Sequence, residues 1–589
     1  MPGLQLRAAS PEWRFNFRSS LSYNRESMMP EPTSEVQTDQ ELLQQARAQG
    51  RPATLKAYFK LSGPGWLQSA LTLGGGSLAS SLYLGILSGF ALLWLQPLAM
   101  LLGIVMLSAI SYVTLSTGEH PFQAINRHVS PLLGWAWAIA TLMANMVWCL
   151  PQFSLATSAV QQNLLPGLVG SQGLFGDLGG KAIICGVILG ITVSFTWLYG
   201  RGGLAVKLYE ATLKVVVALI VLCFVGVVLR LSFSEQGLQW GSILSGFIPD
   251  LSTLFEPAAT YKPFLQTVDE ASREFWRSKI LGMQRDVMIS ASATAVGINM
   301  TFLLGYSLIS RGWNRDFRGL AIFDLSTGML IPFLLATSCV VIASASQFHT
   351  RPAQGLLVQE GTPPPPNLVS GYQRLLADRV KTTSPQLGAG AIKAAAQSLP
   401  EAEKSLAAML VKRDAFNLAQ SLKPLTGSVF ANVVFGIGVV GMAMSSIAIL
   451  MLISGFVVCE MLGLPIGGRA FRLGSLAAAV GALGPFFWKD AQFWLAVPTS
   501  IFGMALLPIA YVSFFLLMNQ KKLLGKNLPR GRSRILWNLL MVLATGFSSF
   551  GCFYSIWSRT GTAGLAVAAG FVLLAILVHF LRRDCSVAS

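Results

Sequence analysis

Two short stretches inside long apolar runs carry the residue types that could do chemistry. The first is Thr72-Leu73-Gly74-Gly75-Gly76-Ser77 and the second is Ala295-Val296-Gly297-Ile298-Asn299-Met300-Thr301. In hydrocarbon every backbone N–H and C=O needs an internal partner, so a helix that unwinds at mid-depth is tolerated where it lines a cavity. Each half-helix so created ends in a partial charge, positive at its N-terminus and negative at its C-terminus. Freed carbonyls can then hold a cation and freed N–H groups an anion. Gly74, Gly75, Gly76, Ser77, Gly297, Ile298, Asn299, Met300 and Thr301 are therefore the candidate substrate-binding residues, with Ser77 and Asn299 as candidate metal ligands. The competing reading is that glycines only let helices pack closely. Asn145, Gln152, Ser445 and Ser446 are further polar side chains in apolar runs, each equally explained as an interhelical hydrogen bond.

The elements that must position these residues are membrane spans. The chain of 589 residues is 53% hydrophobic and only 12% charged, where a soluble protein carries about a quarter charged residues. That excludes an ordinary cytosolic enzyme and a disordered chain. The formal charge of +17 would suit nucleic acid, but most basic residues lie between apolar runs, so no nucleic-acid partner is expected. Seven Cys without a CxxC pair and four scattered His speak against a disulfide framework and a zinc site. No ATP-binding motif and no buried His–acid or Cys–His pairing occur, which leaves no basis for a primary pump or an enzyme.

Residues 61–118 contain no Asp, Glu, Lys or Arg, enough for two spans of about 20 residues each. The break between them falls near Ser88-Gly89. Further uncharged windows at 129–165, 182–200, 208–229, 287–310, 325–348, 428–459, 473–488, 491–518, 535–557 and 561–581 bring the expected total to about twelve transmembrane helices, the ninth (473–488) being short. Lys and Arg in the short loops set orientation. They cluster in 47–60, 201–207, 311–318, 469–472, 519–534 and at 582–583, so both termini are expected in the cytoplasm of a plasma or inner membrane, with a short tail at 584–589.

Three segments read as lying outside the bilayer. Residues 1–55 are polar and lack the apolar core of a signal peptide; they are expected to form a mobile cytoplasmic tail, with Met28 or Met29 as alternative starts. The spans 1–7 then occupy 56–348, interrupted by an extracytoplasmic segment at 231–286, and spans 8–12 occupy 428–583. Between them 349–427 is an extracytoplasmic insert, Pro-rich and extended at 363–366, with an amphipathic helix expected at 399–416 that buries Leu406, Met409 and Leu410 and turns Lys404 and Arg413 elsewhere.

The two glycine-rich interruptions lie in spans one and six, the separation expected of a five-plus-five inverted repeat with broken helices at its substrate site. From here a resemblance carries further. Gly63-Pro64-Gly65-Trp66, Gly89-Phe90-Ala91-Leu92-Leu93-Trp94 and Ser116-Thr117-Gly118-Glu119 resemble the opening helices of the NRAMP family of proton-coupled divalent-metal transporters. Trp137, Ser158-Ala159-Val160 and Asn163-Leu164-Leu165 are similar to its third helix, and Ser445-Ser446 with Gly455-Phe456-Val457 to its eighth. Leu507-Pro508-Ile509-Ala510 and Asn519-Gln520-Lys521-Lys522-Leu523-Leu524-Gly525 resemble its tenth helix and exit. The resemblance covers residues 60–582 apart from the insert and implies an all-α integral membrane protein of the LeuT-type fold, ten core helices plus two, working as a symporter of metal ions.

The departures fall at the expected site. The family's Asp-Pro-Gly-Asn lands on Gly74, Gly75, Gly76 and Ser77, and its Met-Pro-His on Ile298, Asn299 and Met300, give or take a position or two. Its third-helix acids land on Pro151 and Ser154, and its tenth-helix Gln near Leu506. Residues 63–89 and 287–310 hold no Asp or Glu, while a hard divalent cation wants six or more oxygens, usually with carboxylates among them. A stripped metal ion is unattractive in such a site; a hydrated one, an amino acid or a small amine is not. Asp324, Glu460 and His579 are the titrating side chains nearest the apolar runs, with a proton or Na⁺ as coupling ion. The reading is a secondary transporter; the alternatives are a carrier of a small organic solute and a receptor built on a transport scaffold.

Overall fold

The computed structural model describes residues 34–587 except 200–210, parts of 212–223, 235–236, 358–365, parts of 415–429 and 489–491. Helices dominate because nearly every described segment is apolar and long. Two amphiphilic helices, α1 (Ser34–Gln49) and α2 (Arg51–Leu61), precede the apolar core. Next come α3 (Pro64–Thr72), α4 (Gly75–Ser88), α5 (Leu95–Thr117), α6 (Pro131–Ala159) and α7 (Gly176–Tyr199). The second half begins with α8 (Glu270–Ala295), α9 (Ile298–Ser310) and α10 (Leu330–Phe348). The insert holds α11 (Pro366–Thr383), α12 (Ala389–Gln397) and α13 (Glu401–Leu410), and α14 (Phe435–Leu462), α15 (Ala496–Met518) and α16 (Gly531–Val587) complete the chain.

Local chemistry sets several boundaries. Pro64 and Pro131 sit in the first turns of α3 and α6, where a missing N–H is harmless. Gly118 closes α5 with φ 67°, a left-handed turn that costs glycine little. The expected break at Ser88-Gly89 is where α4 stops.

Among the described residues nine helices are long and apolar enough to cross a membrane, or ten if α3 and α4 form one bent span. The expected fifth span, 208–229, lies largely outside the described residues. The weak ninth segment is a short helix at Arg469–Ser475 followed by tight 3₁₀ turns over Leu476–Leu483. Helix α16 is two helices joined at Gly561, whose φ of 60° and ψ of −145° are not helical. Just before it Arg559 pairs with Asp286 at 2.9 Å. Beyond it His579 Nδ1 lies 3.3 Å from Val129 O, at the start of α6. Gly561 thus marks the boundary expected between residues 557 and 561.

The structure adds detail to the expected flanks and changes it in two places. Residues 34–55, read as part of a mobile tail, are helical and docked, with Leu43 fully buried and Gln40 Nε2 donating to Asp316 Oδ2 at 2.7 Å; residues 1–33 fall outside the described residues. The segment 231–286, expected outside the bilayer, runs from Glu270 without a break into the sixth span as the charged first part of α8, whose seven charged residues all precede Val287. The N-cap Asp269 accepts from Ser272 N at 2.8 Å. In the insert, Leu406, Met409 and Leu410 are buried as the amphipathic pattern requires. Arg413 is buried too, contrary to expectation. It donates to Phe348 O at 3.0 Å and to Arg351 O at 2.6 Å, so it caps the C-terminal end of α10. Burial pulls its guanidinium down to about 10, still charged at neutral pH.

The insert is fastened to α8 by a buried ion pair. Arg379 Nε donates to Glu403 Oε2 at 2.8 Å, with both side chains under one-tenth exposed. Trp276 Nε1 and Ser272 Oγ of α8 donate to the same carboxylate at 2.8 and 2.9 Å. Breaking such a pair from one side leaves a buried charge, at a cost of about 3–5 kcal/mol. Glu403→Gln is therefore expected to lower thermal stability and expose the insert to limited proteolysis, whereas replacing both Arg379 and Glu403 with apolar residues should cost much less.

A second junction lies beside it. His349 Nδ1 donates to Ile86 O at 2.9 Å, while its Nε2 accepts from Thr260 at 2.6 Å. Burial holds this imidazole below its ordinary value of 6.5, although the bond to Ile86 O opposes that. In the unfolded chain the ring protonates as pH falls through about 6.5 while the folded ring resists. Stability at this junction is thus complete above that pH and declines below it. Melting temperatures at pH 7.5 and 5.5 should show the loss, and His349→Gln should reduce the pH dependence.

Candidate functional site

The two interruptions are real and face one another. Helices α3 and α4 meet at 52°, with Leu73 and Gly74 outside the helical conformation and Gly74 extended at φ −90°, ψ −178°. In the sixth span Val296 and Gly297 are both extended, at φ −141°, ψ 111° and φ −91°, ψ 165°. The break therefore falls just ahead of Ile298, Asn299 and Met300, which open helix α9 instead of lying in unwound chain.

Close approach explains the glycines as much as unwinding does. A Cβ on Gly74 would lie 2.1 Å from Ser446 Oγ, and one on Gly75 2.0 Å from Leu155 Cδ1. On Gly297 it would meet the Trp148 ring at 2.1 Å. Spans one and six thus press their backbones against spans three and eight, so packing and unwinding are achieved by the same residues.

Most groups freed by the breaks have found partners. Ser77 Oγ lies 2.6 Å from Thr72 O and 2.9 Å from Gly74 O. Gly75 N donates to Gln152 Oε1 at 3.0 Å. Across the gap Thr72 Oγ1 approaches Met300 Sδ at 3.4 Å, and Asn299 Oδ1 accepts from Met300 N at 2.8 Å. Thr301 Oγ1 accepts from Trp137 Nε1 at 3.0 Å. Among the described residues, Asn299 Nδ2, Ser446 Oγ and Gln68 Oε1 are buried near the breaks without a hydrogen-bond partner. Orphaned polar atoms at such depth are costly unless water or a solute meets them.

Between the breaks lies a cavity of about 40 Å³. Gly76, Ser77, Gly297, Asn299 and Met300 line it. Gly74, Gly75, Ile298 and Thr301 do not; they form the frame behind. Thr72 and Gln152, both singled out in the sequence, line it too, whereas Trp148, Thr294, Thr499 and Ser500 escaped sequence reasoning. Trp148 lies one helical turn before Gln152, a spacing that signals a shared face. Thr499 and Ser500 carry no local signal, and α15 offers them in place of the expected position near Leu506.

Asp324, Glu460 and His579 all stand apart from this cavity. Asp324 accepts from Gly65 N at 2.5 Å and from Ser62 Oγ, capping the N-terminal end of α3. Glu460 receives Gln123 Nε2 at 3.2 Å and lies 3.2 Å from His120 Nδ1. Asn145, the other suspect on α6, donates to Ser454 Oγ at 3.1 Å as an interhelical bond. No cluster of three or more His, Cys, Asp or Glu placed to hold a metal occurs among the described residues. The cavity offers hydroxyls, amides, carbonyls, one thioether and an indole, but no ionisable side chain.

Comparison with known proteins places this arrangement. The family model for natural resistance-associated macrophage protein-like (Nramp) sequences matches residues 65–360 and 390–558. The chain belongs to the Nramp family. No curated protein matches it. Solved structures similar to it include the manganese transporter of Eremococcus coleocola as a histidine variant and in complex with an aromatic bis-isothiourea compound, each at 15% identity and TM-score 0.58, over 90% of this chain and 94% of that one. This likeness shows a shared fold. The Nramp chain described here is thus a multi-pass secondary transporter of that family, and its two interrupted helices enclose the cavity described above.

Proposed function

We propose that this Nramp protein carries divalent metal cations with water still attached, by alternating access around the two interrupted helices. The observation that carries the reading is one small cavity between both breaks, which presents hydroxyls and amides among apolar side chains and contains no carboxylate. Stripping a divalent ion of water in such a site would leave its charge uncompensated, at several kcal/mol or more. Retaining the water removes most of that cost, because the shell then hydrogen-bonds to Ser77, Thr72 and the amide of Asn299.

Size is compatible with the same choice. About 40 Å³ of room for water centres equals a sphere of about 2.1 Å radius, the distance at which Mg²⁺ holds its oxygens. The solved neighbours are manganese transporters by name, which favours a metal cargo as well.

Reconstitution into proteoliposomes tests the proposal directly. Saturable uptake of Mn²⁺ or Mg²⁺ is expected, with negligible flux of glycine, alanine or a small amine. Organic-solute flux without metal flux, or no flux of either, would overturn it. Luminal pH recorded in the same vesicles identifies any accompanying proton.

A further inference from the structure

The insert carries a second cavity far from the transport site. A cleft of about 790 Å³ opens between α11, α12 and α13, a volume within the range of small-molecule sites. The family model passes over residues 361–389, so α11, which forms one wall, lies outside the stretch it matches. The floor is apolar: Leu376, Ile392 and Ala396 are all buried. The rim is cationic, with Arg374, Lys381, Lys393 and Lys404 against the single carboxylate of Glu401. Lys381 and Lys393 are exposed and face the cleft from different helices.

The walls are preformed. Arg379, two residues before Lys381, and Glu403, next to Lys404, make the buried ion pair that anchors α11 and α13 on α8. A ligand here would not first have to order its site, which lowers the cost of binding. An apolar floor under a cationic rim matches neither a bare inorganic anion, which leaves the floor wetted, nor a neutral hydrocarbon, which leaves the charges of Lys381 and Lys393 uncompensated.

We propose that the cleft between α11, α12 and α13 binds an amphiphile with an anionic head, its chain on Leu376, Ile392 and Ala396 and its head among Lys381, Lys393 and Arg374. Such a ligand could arrive from solution as a free carboxylate or from the bilayer as an anionic phospholipid.

The full chain in phosphatidylcholine nanodiscs, with empty discs subtracted, provides the test by equilibrium dialysis against labelled decanoate. One saturable site is expected, with decanol at least tenfold weaker and affinity rising about fourfold per added methylene. Lys381→Glu with Lys393→Glu, both at exposed positions that folding does not depend on, should weaken decanoate at least tenfold; Ala396→Trp should abolish its binding. Decanoate binding no greater than in empty discs, equal affinity for decanol, or an unchanged affinity in the lysine double variant would overturn the assignment. Phosphatidylglycerol added to the discs separates the sources: competition with decanoate points to a bilayer lipid and its absence to a soluble amphiphile, the site standing in either case. Dialysis reports binding alone, so the result is independent of whether the metal-transport reading holds.

Discussion

Gly76→Leu is expected to abolish metal uptake while leaving the protein folded. Gly76 lies in the first turn of α4 and lines the cavity, and a Cβ there meets only Thr294 Cγ2, at 3.3 Å. The four carbons of leucine must then grow into a space of about 40 Å³, displacing the water or solute it holds. Leucine is also a better helix former than glycine by roughly 0.8 kcal/mol, so α4 itself gains. Flux should fall more than tenfold in proteoliposomes containing equal amounts of protein, with the melting temperature retained. Uptake at the normal rate would show that cargo does not pass between the two breaks. Gly75→Leu is a poorer probe, since its Cβ would strike Leu155 Cδ1 at 2.0 Å and folding would suffer with transport.

The second large effect is a gain. Gly74 stands at the N-cap of α4, a position where aspartate is among the preferred residues and where a negative charge meets the positive end of the helix. Placed there, a carboxylate would put a negative charge in the frame directly behind the cavity, whose own lining has none. The obstacle is Ser446, whose Oγ lies 2.1 Å from where the new Cβ would sit. Gly74→Asp alone should therefore be strained, and Gly74→Asp with Ser446→Ala relieved, because the Ser446 Cβ at 3.2 Å can yield by a few tenths of an ångström. The double variant is expected to bind Mn²⁺ at least tenfold more tightly, about 1.4 kcal/mol, measured by calorimetry on purified protein. An affinity equal to the parent's would mean that a charge at position 74 is not felt by the cargo.

Much of this architecture is legible in one dimension because its causes are local. A helix needs enough apolar residues to span hydrocarbon, and its end needs a residue such as Gly89 or Gly118 that tolerates positive φ. Both breaks could be found for related reasons: three consecutive glycines in span one, and Gly297 close to Asn299 in span six, weaken a helix whatever surrounds them. Their position was harder. The interruption in span six lies at Val296-Gly297, and nothing in the local pattern distinguishes that dipeptide from the two residues that follow. The docking of α1 was hidden as well, since a polar segment reads as solvated until a partner such as Asp316 appears.

The amino-acid order alone thus determined a helical membrane protein, its two weakened spans and the absence of carboxylates from them, because hydropathy, helix propensity and charge belong to each residue where it stands. Tertiary structure decided which polar atoms meet. Trp148, Thr294 and Thr499 come from three different spans to share one wall, and Arg413 leaves the surface to cap α10. Convergence of that kind depends on how helices distant in sequence pack against one another, and no local pattern encodes it.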